Sequence, residues 1–199
     1  MRRYRWLGAV AVVAVTAGLA VADGETVGVS GSDVRYPTHE QVTVDYRPVR
    51  LVLTGTAVRK AHGLPVYAVG SYVQEGVPAR TAEQIVAADV VKVMHLVLER
   101  RLDGPTMFEG MRTGIRLNHA ADAFPEELGQ LERSLRPRDL ARGQHVRLTW
   151  LPRVGLRCEA VGTADVTIRS PAFARAVWEI YLGRNNLGES VKTGLTSRR

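Results

Sequence analysis

LTGTAVRKAHGLPVYAVGSYV, residues 53–73, carries the reading on which the fold of this 199-residue chain turns. It is small and apolar, with one arginine in its middle. From residue 51 the chain alternates. Leu51, Leu53, Gly55, Ala57 and Arg59 share one face of a strand, and Val52, Thr54, Thr56, Val58 and Lys60 share the other. Residues 61–65, AHGLP, contain turn formers, and Val and Tyr resume from 66 to 74. Two such runs around a short turn predict a β-hairpin.

Outward from the hairpin the signals alternate in kind. Residues 42–44 can open a short strand, and 81–88 read as a helix capped by Thr81. Residues 90–98, VVKVMHLVL, are apolar on both faces, as in a strand central in a sheet. Residues 103–117 read as a helix with Met107, Met111 and Gly114 at helical spacing, and Arg112 and Arg116 on another face. A second helix is predicted over 124–134. Residues 144–151 and 156–161 form strands about a turn at 152–155, and 165–168 add another. The last helix starts at the Ser170 cap and Pro171. It ends at Gly183, expected in the left-handed closing conformation. This order predicts an α+β fold, a mainly antiparallel sheet covered by helices on one face.

The N-terminus has another character. Arg2, Arg3 and Arg5 precede an uncharged apolar run from 6 to 22 that ends Ala-Val-Ala. That is the layout of a secretory signal peptide over 1–22, so the protein is expected in the periplasm or secreted. The run is shorter and poorer in Leu than a membrane-crossing helix needs, so no stable membrane span is expected after cleavage. Residues 23–45 read as a flexible arm and 46–199 as one domain. The formal charge of +7 becomes +4 without the three leading arginines, and the remaining basic residues are scattered. Neither a basic stripe nor an aromatic platform for nucleic acid is present. The lone Cys158 excludes an intrachain disulfide and reads as a small buried hydrophobe. The five histidines match no metal spacing, and no glycine-rich phosphate loop occurs, so neither metal nor cofactor is expected.

Three motifs then stand in order: the 53–73 hairpin with Gly55, Arg59, Val66-Tyr67 and Gly70 to Tyr72; the middle strand VVKVMHLVLERRL; and the closing FARAVWEIYLGRNNLGESVKTGL. Together they resemble the bacterial chalcone isomerase-like family over about residues 51–195. The resemblance implies an open-faced β-sandwich, a long antiparallel sheet with helices layered over it and a cleft between. In the plant enzymes of the family an arginine on this strand polarises the substrate during ring closure, and Arg59 matches it by position. The place of a participating threonine falls to Tyr67, and 101–107 contain no counterpart of the catalytic tyrosine. The resemblance therefore implies the pocket and its arginine without the full catalytic set. Fatty-acid-binding relatives use the corresponding arginine to hold a carboxylate.

The plain alternative for Arg59 is a strand-end arginine snorkelling to water. Against it stands the apolar face it shares, where an unpaired charge is costly and a planar fork suits a carboxylate. The expected ligand residues are Arg59 and Tyr67 for an acid headgroup, with Met107, Phe108 and Met111 as an apolar wall. The partner is then a small amphipathic acid such as a fatty acid, and no catalytic residue is assigned. Two other readings stay open: an intramolecular lyase acting on a chalcone-like substrate, and an interaction module with a vestigial cleft.

Overall fold

The computed structural model describes residues 25–160 and 163–198. The expected signal segment lies outside the described residues. Of what reads as a flexible arm, residues 25–45 are structured: β1 (Thr26–Gly28) pairs antiparallel with β2 (Arg35–Pro37), and β3 (His39–Val44) forms the sheet edge. Apolar anchors explain the difference. Tyr36 and Val29 are buried, and the Tyr36 hydroxyl donates to the His95 carbonyl at 2.9 Å. A polar-looking stretch is held down by one aromatic whose hydroxyl also finds a partner.

Then follow β4 (Arg47–Ala61) and β5 (Leu64–Gln74), the predicted hairpin. His62 and Gly63 both have positive φ, as a two-residue primed turn requires. The chain continues through α1 (Ala82–Ala87), β6 (Lys92–Leu98), β7 (Leu102–Asp103), α2 (Gly104–Ile115) and α3 (Pro125–Leu135). It closes with β8 (Asp139–Leu140), β9 (His145–Leu151), β10 (Gly155–Ala160), β11 (Thr163–Ile168), α4 (Pro171–Leu182) and α5 (Glu189–Leu195). Seven strands form one antiparallel sheet in the order β11-β10-β9-β6-β5-β4-β3. β6 is central, as its two apolar faces require. Met94, Leu96 and Leu98 pack under the helices with Phe173, Val177 and Trp178 of α4. Val93 and Val97 face the other way, against the cluster that holds Tyr36, Leu51, Leu53 and Tyr72. The N-terminal ribbon thus caps the face that the helices leave bare. Among the described residues no helix is long and apolar enough to cross a membrane.

Two sequence expectations fail for local reasons. The alternation of β4 is broken by a bulge, since Leu53 pairs with Tyr72 but Gly55 with Ser71. One extra residue flips the face. Leu51 and Leu53 therefore face the N-terminal ribbon, and Ala57 and Arg59 face the helices. At the end of α4, Gly183 is extended (φ −68°, ψ 177°) rather than left-handed. Glycine is needed there for space, because a methyl group would lie 2.4 Å from the Glu179 carbonyl oxygen.

Lys92 is fully buried on the helix side of β6. Its ammonium donates to the carbonyls of Ile85 (2.8 Å) and Val86 (3.3 Å) at the end of α1, and lies 3.7 Å from the Trp150 ring centroid. Burial, offset in part by Asp89, lowers its pKa from 10.5 to about 7. Between those values the unfolded chain binds the extra proton, so stability rises with pH from about 7 to 10.5. The melting-temperature gap between Lys92→Met and wild type is accordingly expected to be more favourable to the variant at pH 7 than at pH 9.5. A gap independent of pH would show that the lysine is not desolvated.

Candidate functional site

Arg59 stands near the end of β4, directly opposite Tyr67 on β5, and Tyr67 stands opposite Leu98 on β6. The three lie in one row across the sheet. Beyond this row β6 exits through Arg100 into β7 and α2. Asp103 caps α2 by accepting from the Thr106 amide at 2.7 Å, which sets the helix over the row. α4 closes the other side. The space between them is a cavity of about 160 Å³, with Arg59 and Arg100 among its lining residues.

Inside, the Tyr67 and Tyr181 hydroxyls are 3.4 Å apart. Tyr67 is 7% and Tyr181 1% exposed. Burial pushes the Tyr67 phenol up in pKa, against the Tyr181 bond and the Arg59 charge, and pushes Tyr181 well above 10. Both phenols therefore stay protonated at neutral pH; one O–H is used between them and the other is left to donate. Arg59 is half-buried. Its guanidinium donates to the adjacent Lys60 carbonyl, and neither Arg59 nor Arg100 has a carboxylate partner among the described residues. A guanidinium with most of its donors free beside an apolar cavity is set to take an anion.

Four of the five expected ligand residues meet here: Arg59, Tyr67, Met107 and Met111. Phe108 does not. One residue along a helix turns the side chain by about 100°, and Phe108 lines a separate groove with Arg112 and Leu128 between α2 and α3. Sequence reasoning missed Arg100, Thr106 and Tyr181 as cavity residues. Tyr181 was legible as part of the apolar stripe of the last helix, but no signal paired its hydroxyl with Tyr67, 114 residues away.

A polar cluster lies on the opposite face of the sheet. Glu40 of β3 accepts from His95 Nδ1 at 2.8 Å and from Arg147 at 2.6 Å. His95 Nε2 is 2.7 Å from His145 Nδ1, because β6 and β9 are neighbours. Histidines that look scattered in sequence are thus a pair. Among the described residues no group of three or more His, Cys, Asp or Glu could hold a metal ion.

No curated protein matches the chain in sequence. Among solved structures it is similar to a fatty-acid binding protein of Arabidopsis thaliana. The TM-score is 0.65 at 16% identity, over 86% of this chain and 96% of that one. At that identity the likeness shows the fold, a curled antiparallel sheet layered with helices. A sequence model described as chalcone isomerase-like matches residues 32–196, which include every element from β2 through α5. The chain belongs to the chalcone isomerase-like family.

Proposed function

We propose that this is an exported, non-catalytic protein that binds a small amphipathic acid in the cavity between sheet and helices. The observation that carries the reading is Arg59, a cation without a carboxylate partner among the described residues, at a mostly apolar cavity with a hydrogen-bonded pair of phenols inside. Among the described residues no histidine, aspartate or glutamate lines that cavity, and its phenols are held protonated. Nothing in the lining offers a base for proton abstraction, which favours binding over an intramolecular lyase reaction. The likeness to the Arabidopsis fatty-acid binding protein supports the same ligand chemistry. Export rests on the arginine-flanked apolar segment at residues 2–22.

The test is native mass spectrometry of the protein purified from its host, followed by calorimetry with the acid recovered. Charge-assisted hydrogen bonds contribute about 1.5–3 kcal/mol. Arg59→Ala is therefore expected to weaken acid binding by about ten- to a hundred-fold, with the melting temperature nearly unchanged. Unaltered acid affinity in that variant, or turnover of a chalcone-like substrate by wild type, would overturn the proposal.

A further inference from the structure

We infer that the acid held here is a monocarboxylate with an apolar body of about six carbons, its carboxylate shared between Arg59 and Arg100. The inference rests on the binding reading above and adds the ligand's size and a second headgroup residue. Size comes from volume. The cavity measures about 160 Å³. An apolar cavity of roughly 150 Å³ takes a benzene molecule. A sixteen-carbon chain would leave more than half of its carbons outside such a space.

The walls resist widening. Tyr181 and Ile180 belong to the buried face of α4. A methyl group at Gly114 of α2 would lie 2.6 Å from Ile180 Cγ2, so the two helices already touch through a glycine. Drawing α2 away from α4 would open a void in a close-packed core. The adaptable walls are the thioethers of Met107 and Met111, both buried.

The headgroup comes from the mouth. Arg59 and Arg100 approach from β4 and from the exit of β6, on either side of β5. Neither guanidinium has a carboxylate partner among the described residues. A carboxylate offers about four lone-pair sites on two oxygens, enough for both forks. Arg100 is exposed, so its contribution is the smaller.

The experiment is calorimetric titration of the full chain with sodium butanoate, hexanoate, octanoate, dodecanoate and hexadecanoate, the longer acids below their micelle concentrations. Affinity is expected to peak at hexanoate or octanoate and to fall at least ten-fold by hexadecanoate. Arg100→Ala should weaken hexanoate about five-fold and flatten the salt dependence. Met111→Ala, checked for folding by its melting curve, should move the optimum to a longer acid. Tightest binding of hexadecanoate by wild type would overturn the size class and leave the binding function standing. Binding of no acid in the series would overturn both.

Discussion

Gly55→Ala is expected to cost about 3 kcal/mol or more, the upper range for overpacking a tight contact. At about 2–4 °C per kcal/mol for a protein of this size, the melting temperature should fall by roughly 6–12 °C. A methyl group at Gly55 would lie 2.1 Å from the Gly194 carbonyl oxygen and 2.6 Å from the Leu195 carbonyl carbon. Both are backbone atoms, which cannot rotate away. The contact is reciprocal, since a methyl group at Gly194 would meet the Thr56 carbonyl oxygen at 2.6 Å. Here α5 lies directly on the β4 backbone. The Thr54 hydroxyl reinforces the joint by bonding the Leu195 carbonyl at 2.9 Å, and the Arg198 amide donates to the Thr54 carbonyl at 2.9 Å. Arg59 is four residues further along the same strand, so the variant should lose acid affinity together with stability. The contrast is Gly110→Ala. A methyl group there meets nothing within 4 Å, and relief of glycine's backbone entropy in a helix should stabilise by about 0.5–1 kcal/mol. Equal melting temperatures for Gly55→Ala and wild type would contradict the close approach.

Glu40→Ala carries the other large effect. The Glu40 side chain is 8% exposed, and His95 and Arg147 both bond to it. Removing one member of a buried ion pair leaves the other charge uncompensated, at about 3–5 kcal/mol. The loss should fall on the β3 edge and the ribbon beside it, read as faster amide exchange in both. Its pH dependence has a fixed sign. Burial alone would raise the Glu40 pKa, but the His95 hydrogen bond and the Arg147 charge outweigh it and bring it below 4.5. The stabilisation is therefore full above about pH 4.5 and is lost as pH falls through the folded value. His145 adds a slope at higher pH. Burial, then the charges of His95 and Arg147, lower its pKa below 6.5, so the folded protein resists its protonation and loses stability as pH drops below 6.5. The stability gap between wild type and Glu40→Gln should close below pH 4.5. A gap constant from pH 7 to pH 3 would show that the carboxylate is not paired as described.

The order of strands and helices was readable because burial imposes the alternation and the helical spacing on which reading depends. The 53–73 hairpin, the central β6 and the Ser170 cap of α4 all stand where local pattern places them. Alternation failed at one residue. Gly55 inside a strand is a recognised mark of a bulge or of a close backbone approach, and here it is both. The bulge turns Arg59 onto the helix face while Leu51 and Leu53 go to the other, so the neighbours that alternation gives Arg59 are not the ones it has. Phe108 was lost to helix rotation, which admits Met107 and Met111 to the cavity but not the residue beside Met107. The N-terminal ribbon, the Tyr67–Tyr181 pair and the Glu40–His95–His145 chain depend on residues tens of positions apart. Sheet order brings them together, and no local pattern records it. α5 was missed because its seven residues carry only two buried apolar side chains, Val191 and Leu195, and no side-chain cap, while its close backbone contact with β4 leaves no local pattern.

The most direct measurement is a crystal structure of the protein grown with hexanoate. The carboxylate is expected within hydrogen-bond distance of the Arg59 guanidinium, and the chain between Met111 and the Tyr67–Tyr181 pair. Hexanoate bound elsewhere, with Arg59 still turned onto the Lys60 carbonyl and the cavity empty, would contradict it.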